Sequence, residues 1–168
     1  TTYRGSLVGS GGLVKEGGGS FTLAGPNGFT GGASVQAGTL ALAGGAALAD
    51  GVVLSLADAA GATLSLLADE TLGALAGGGT AGGQVLLNGF ALRTGGAGDS
   101  RFAGVVTDGS AAGGRLVKQG SGQFTLAGAS TLQGITQVAQ GTLALDHAAP
   151  LASSTVQLAD AAGVTLAL

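Results

Sequence analysis

No cysteine, methionine or tryptophan occurs among the 168 residues of this chain. Without cysteine there are no disulfides and no thiolate metal sites. That absence assigns no compartment: it suits a chain that crosses a membrane unfolded as well as one that stays in the cytosol. Charge is scarce too, at 9% of residues, with six basic side chains against nine acidic ones and a net charge of −3. No basic face is available to hold a phosphate backbone, which excludes nucleic acid as a natural partner. The same shortage excludes binding to anionic lipid through lysine and arginine. Two uncharged stretches, Gly17–Ala49 and Thr71–Leu92, are long enough to span a bilayer. Repeated glycines and Pro26-Asn27-Gly28 punctuate them, so neither reads as a spanning helix that satisfies its own backbone. The first residues, Thr1-Thr2-Tyr3-Arg4-Gly5, show no initiator methionine, basic n-region or apolar h-region. The expectation is a single segment, residues 1–168, cut from a longer chain.

Glycine is abundant, with 36 residues, and glycine, proline and serine together approach the share at which disorder becomes the first reading. Leucine, valine, isoleucine and phenylalanine oppose it. They make up about a quarter of the chain, above the roughly 20% expected of disordered segments, and the mean hydropathy is +0.51. That is enough apolar surface to offset the entropy of ordering.

These residues are patterned with a period of two. Phe21-Thr22-Leu23, Leu40-Ala41-Leu42, Leu54-Ser55-Leu56, Leu64-Ser65-Leu66 and Leu166-Ala167-Leu168 all alternate. In a strand, alternate side chains face opposite sides, so Phe and Leu are expected inward and Thr, Ser and Ala outward. The runs are short and separated by glycine-rich breaks, the spacing of many short strands and tight turns. Asn27-Gly28 and Asn88-Gly89 read as turn pairs accepting positive φ. Ser110–Gly114 reads as a larger turn, and His147–Ser153, with Pro150, as another turn region. Ala57–Ala76 is rich enough in Ala and Leu to be helical, opening at Asp69-Glu70, but Gly61 and Gly73 interrupt it and strand is favoured.

The chain also echoes itself. LVKEGGGSFTLAGPNGFTGGASVQAGTLAL at Leu13–Leu42 returns 103 residues later as LVKQGSGQFTLAGASTLQGITQVAQGTLAL at Leu116–Leu145, with 17 of 30 positions identical and no gap. LADAAGATLSL at Leu56–Leu66 returns at Leu158–Leu168 with 9 of 11 identical. Two repeat blocks, 13–66 and 116–168, follow. A fixed period marks stacked architectures. Matched hairpins and a blade-like aromatic signature are missing, whereas short strands, glycine turns and a Leu/Val/Ala interior suit a solenoid. The predicted fold is all-β, a parallel β-helix of about seven or eight coils at roughly 20–25 residues each, with the 103-residue period a block of several coils.

The block LVKxGxGxFTLAG…G…V…GTLAL resembles the autotransporter-associated β-strand repeat, also called the passenger-associated transport repeat. The resemblance extends outward: Tyr3-Arg4-Gly5-Ser6-Leu7-Val8-Gly9-Ser10-Gly11-Gly12 leads into the first copy and Phe102-Ala103-Gly104-Val105-Val106 into the second. Leu72–Gly77 and Val85–Gly89 resemble connecting coils. The second copy departs at Ala129-Ser130-Thr131-Leu132-Gln133, where the first has its Pro26-Asn27-Gly28 turn, and carries Ile135 in place of Gly32. The resemblance implies a right-handed parallel β-helix in a bacterial type V secreted passenger, exported through its own outer-membrane barrel and displayed at the cell surface. It implies a repeat that assists secretion and folding. Its partners would be the rest of the passenger and that barrel, with self-association or host-surface molecules as the alternative of an adhesin. No catalytic residue, cofactor or metal comes with it. The positions expected to build the repeat are Gly17, Gly19, Phe21, Leu23, Gly25, Val35, Gly38, Leu40 and Leu42, and their partners Gly120, Gly122, Phe124, Leu126, Gly128, Val138, Gly141, Leu143 and Leu145.

Candidates for chemistry are few. His147 follows Asp146 with Ser153 and Ser154 nearby, but adjacent strand residues point apart and no G-x-S-x-G elbow exists, so a triad is not expected. Asp69-Glu70, the adjacent acid pair, would likewise diverge, and a solvated turn is expected. β-Helices also host polysaccharide-active enzymes, which remain a remote alternative. The recurrence of Asp58 as Asp160 and of Lys15 as Lys118 argues instead for structural roles at turns. Gly77-x-Gly79-x-x-Gly82 matches a dinucleotide fingerprint by letter without the strand and helix that would frame it. Gly95-Gly96-Ala97-Gly98-Asp99 resembles a calcium-binding repeat but has no tandem copy. The expectation is a chain that is not an enzyme and needs no cofactor.

Overall fold

The computed structural model describes residues 1–146, 151 and 154–168. Alternating residues cannot form a stable helix stripe, and among the described residues every regular element is a strand. The strands are two to four residues long because glycine-rich corners interrupt each run. They follow one another around a three-sided coil. The first coil holds β1 (Thr2–Tyr3), β2 (Val8–Gly9) and β3 (Leu13–Lys15), and the second β4 (Ser20–Leu23), β5 (Gly28–Phe29) and β6 (Ala33–Val35). The third has only β7 (Thr39–Leu42) and β8 (Val53–Leu56). The fourth has β9 (Thr63–Leu66), β10 (Glu70–Leu72) and β11 (Ala74–Gly77), and the fifth β12 (Gln84–Leu86), β13 (Ala91–Thr94) and β14 (Ser100–Phe102). The sixth has β15 (Val105–Thr107), β16 (Arg115–Lys118) and β17 (Gln123–Leu126), the seventh β18 (Ile135–Val138) and β19 (Thr142–Leu145), and the eighth β20 (Thr155–Leu158) and β21 (Thr165–Ala167).

Each side of the coil stacks into a parallel sheet. The first side is the six-stranded order β1-β4-β7-β9-β12-β15, extended by a bridge from Thr107 to Thr131. The last side is an eight-stranded sheet with one strand from every coil, β3-β6-β8-β11-β14-β17-β19-β21. Eight coils at the strand spacing make a rod of about 35 Å. The middle side is divided: β2 pairs with β5, and β10-β13-β16-β18-β20 forms a separate sheet. The expected parallel β-solenoid of seven or eight coils is therefore the fold. The helical alternative for Ala57–Ala76 gives way to β9, β10 and β11, and no helix is long and apolar enough to cross a membrane among the described residues.

Register places like on like inside the rod. Phe21 pairs with Leu40 and Leu40 with Leu64, while Leu23, Leu42 and Leu66 form the adjacent column. On the last side Phe124 lies under Leu143, and Phe102 under Leu126. Leu23, Leu40, Leu42, Leu64, Leu66, Phe102 and Phe124 are all fully buried. Each such side chain contributes about 1.5–3 kcal/mol by leaving water. The alternation is not perfect: Val53 faces out and Thr136 lies inside.

The two sequence copies do not occupy equivalent sides. LVK of the first copy is β3, on the eight-stranded sheet, and LVK of the second is β16, on the middle side. The FTL strands are β4 on the first side and β17 on the eight-stranded sheet. From β3 to β16 the chain turns fourteen sides, counting the strandless middle side of the third coil, or four and two-thirds turns. The period is a multi-coil block, as expected, but not a whole number of coils. The second copy is displaced by one side of the triangle.

Candidate functional site: polar corners of the solenoid

The side chains with chemistry to offer sit at corners, where the backbone leaves a strand ladder and its polar groups need other partners. The repeat's lysine builds one such corner. The Lys15 Nζ donates to the carbonyls of Glu16 (2.9 Å), Gly17 (2.6 Å) and Ala37 (2.9 Å). The Lys118 Nζ donates to Gln119 (2.7 Å), Gly120 (2.7 Å) and Gln140 (3.1 Å). An ammonium has three N–H donors and no acceptor, so both are saturated. Lys118 is only 1% exposed and Lys15 8%. Burial pulls the Lys118 ammonium below its ordinary pKa, and the carboxylate of Asp99 pulls it back up. Such hydrogen bonds from a charged donor are roughly twice as strong as neutral ones.

The repeat glycines sit around this corner. Gly17 and Gly120 share φ +71°, and Gly38 and Gly141 have φ +67° and +68°. A Cβ at Gly141 would lie 2.4 Å from the Gly120 carbonyl oxygen and 2.9 Å from the Lys118 Nζ. Gly122 stacks on the Gly98 carbonyl, as Gly25 does on that of Gly5 and Gly128 on that of Gly104, whereas a Cβ at Gly19 would meet open space. Phe124, Leu126, Val138 and Leu143 line the interior, as do Leu23, Val35, Leu40 and Leu42, with Phe21 and Leu145 partly covered.

Side chains also bridge the divided middle side. Residues 43–52 of the third coil contain no strand, yet Ala47 and Leu48 are fully buried. From the coil below, Asn27 Nδ2 donates to the Ala47 carbonyl at 2.8 Å, and its backbone N–H to that of Ala46. From the coil above, the Glu70 carboxylate accepts the N–H groups of Ala47 and Leu48, each at 3.2 Å. Two sequence expectations are corrected here. Asn27-Gly28 is not a positive-φ turn: Gly28 begins β5, and the Asn27 side chain, which also accepts the Leu7 N–H, is recruited to join coils. Glu70 is not solvated but 1% exposed. Its neighbour Asp69 points the other way, toward Arg93 at 3.6 Å and the Ala91 N–H. Asn88-Gly89 does adopt the positive φ expected, at +51° and +84°.

Burial raises the Glu70 carboxyl above its ordinary value; the N–H groups of Leu48 and Ala47 oppose this and the carboxylate of Asp50 adds to it. The folded chain therefore holds this proton to higher pH than the unfolded chain. The contribution of Glu70 to stability is full below the unfolded pKa and is lost as pH rises through the folded one. Thermal unfolding followed from about pH 4 to pH 7 should show a downward slope in midpoint that Glu70→Gln flattens. An unchanged slope would contradict the buried placement.

The remaining candidates are scattered. Asp58 Oδ1 accepts the N–H groups of Ala81 and Gly82, so a carboxylate already occupies amides of the Gly77–Gly82 loop that a phosphate would need. The loop joins two strands, β11 and β12. Asp160 is exposed. Asp99 accepts the Gln123 N–H, and no group of three potential metal ligands gathers among the described residues. Asp146 pairs with Arg101 across two coils. Ser154 meets Thr136, while His147, Pro150 and Ser153 lie outside the described residues. Asp108 escaped the sequence reading: it closes the Ser110–Gly114 turn, exposed except at Gly114, through the Gly114 N–H and reaches Gln133 in the next coil. Ser130, at the divergent turn of the second copy, is buried and accepts the Val106 N–H, taking over a corner that Asn27 serves in the first. The surface groove between Val14 and Val53 is lined by Gly, Ala, Ser, Leu and Val alone.

Residues 13–42 and 116–145 both match the family of the passenger-associated transport repeat. The chain is 38% identical over 146 residues to the adhesin BmaC autotransporter of Brucella suis biovar 1 (strain 1330). That alignment takes in 84% of this chain and 4% of the relative, so the chain spans a small part of the relative's length. No solved structure matches.

Proposed function

With two passenger-associated transport repeats in the chain and an autotransporter adhesin aligned over most of its length, we propose that it is a section of the β-helical stalk of a bacterial type V secreted surface protein. The section is one structural unit, residues 1–168, of a longer passenger. It works outside the cell, supporting export, folding and display of that passenger, and acts as scaffold rather than enzyme. Its partners are the flanking passenger and the outer-membrane barrel through which that passenger leaves. The observation that carries this reading is the stacking: eight coils joined coil to coil, with polar side chains committed to corner backbone. In a solenoid each coil packs chiefly on its neighbours, the exposed Arg101–Asp146 pair reaching one coil further, so folding propagates along the rod without long-range closure.

A second reading rests on the relative's name: the segment itself adheres, to host surfaces or to copies of itself. Its scarcity of aromatic and arginine anchors weighs against this. Deleting residues 116–168 from the full-length protein separates the two. The stalk reading expects less passenger at the surface, with adhesion per displayed molecule unchanged. Normal display with lost adhesion would favour the adhesive reading.

A further inference from the structure

The lysine corner appears with the same three bonds at two different edges of the triangular coil. In the first copy it joins the eight-stranded side to the first side, between β3 and β4; in the second it joins the middle side to the eight-stranded side, between β16 and β17. Two of the carbonyls belong to the lysine's own corner, one and two residues on. The third lies 22 residues on, in the following coil.

We propose that this corner is a coil-to-coil staple, closed only when the next coil docks, and that its closure is what the duplicated block contributes to assembly of the rod. Before docking, the ammonium holds two carbonyls and keeps one N–H open to water. Docking brings Ala37 or Gln140 to that N–H, and the charge becomes buried and saturated together. The backbone bonds beside it cross the same junction: Gln36 N–H donates to the Lys15 carbonyl, and Ala139 and Gln140 to that of Lys118. Gly38 and Gly141 leave the room this approach needs, since a Cβ at either would stand 2.4 Å from a carbonyl oxygen of the coil below. Other side chains also bridge coils, among them Asn27, Asp58, Glu70, Asp99 and Asp108, each with its own set of partners. Among the described residues the staple is the bridge that recurs with the same three partners, one, two and 22 residues on, in both copies. Its geometry stands apart from the stalk reading; its role in export rests on it.

Hydrogen exchange on the full-length passenger tests the staple. Lys118→Met keeps the apolar stem and removes the donors. The amides of Ala139, Gln140 and Thr142 should exchange roughly tenfold to a hundredfold faster, as expected for losing charge-assisted bonds, while those of β8 and β11 stay protected. Lys15→Met should produce the same change at Gln36, Ala37 and Thr39 and leave 139–142 alone, which keeps the test valid if Lys118→Met fails to fold. Thr94, one coil below Lys118 in the same column, supplies the control: Thr94→Val should leave exchange at 139–142 unchanged. Unchanged exchange in both lysine variants, or an equal effect of Thr94→Val, would overturn the staple. The double lysine variant should also reach the cell surface several-fold more slowly. Arrival at the normal rate despite faster exchange would overturn the assembly role and leave the stalk reading standing.

Discussion

Phe124→Ala should cost about 3–5 kcal/mol at the coils it fills, the range for deleting a fully buried aromatic. Phe124 has no solvent exposure and lies under Leu143, in a column continued by Leu166. Neighbouring columns run through both adjacent coils, so the cavity cannot collapse without breaking register. Stability in a solenoid is close to a sum of coil and interface terms, so the loss should be local at first. Hydrogen exchange should rise in β14, β17 and β19 before it rises in β4, β7 and β9. Denaturant unfolding should change from one transition to two or broaden markedly. A uniform loss along the rod would show that the coils are coupled more tightly than nearest-neighbour contacts allow.

Gly141→Ala should be almost as damaging for a different reason. The residue sits at φ +68°, and a Cβ would lie 2.4 Å from the Gly120 carbonyl oxygen and 2.7 Å from that of Gly122. Both neighbours are backbone and cannot swing aside. Backbone strain and overpacking together should cost about 3 kcal/mol or more. The same change at Gly19, where nothing lies within 4 Å of the added Cβ and φ is not positive, should cost under about 1 kcal/mol. Thermal melts of the two variants give the comparison. Equal costs would mean that glycine is needed at these corners for chain flexibility rather than for the close approach of successive coils.

The sequence exposes those parts of the fold that repeat at short range. Alternation in FTLAG and GTLAL identifies strands and their inward residues because the side-chain period of a strand is two. Glycine clusters identify corners because stacked coils bring backbone against backbone. The roles of Asn27 and Glu70 were hidden, since nothing local distinguishes an asparagine in a turn from one that spans two coils. What decides is whether the coil between them forms a strand, and on the middle side of the third coil it does not. Likewise, a 103-residue separation fixes distance along the chain but not angle around the rod. The angle depends on coil lengths between the copies, including loops such as Ser110–Gly114. The lysines were readable as structural because they recur, but their three carbonyl partners were not, because one comes from another coil.

The fourteen-side spacing has a consequence for what surrounding molecules meet. Advancing four and two-thirds turns per block sets each successive block back by a third of a revolution. Were the block to recur along a longer chain at the same spacing, three blocks would visit all three azimuths and the fourth would return to the first. Such a shaft has no front or back: any feature written into the repeat faces every direction in turn, at a pitch of fourteen turns. A molecule approaching from any side would find the same surface, at a different height.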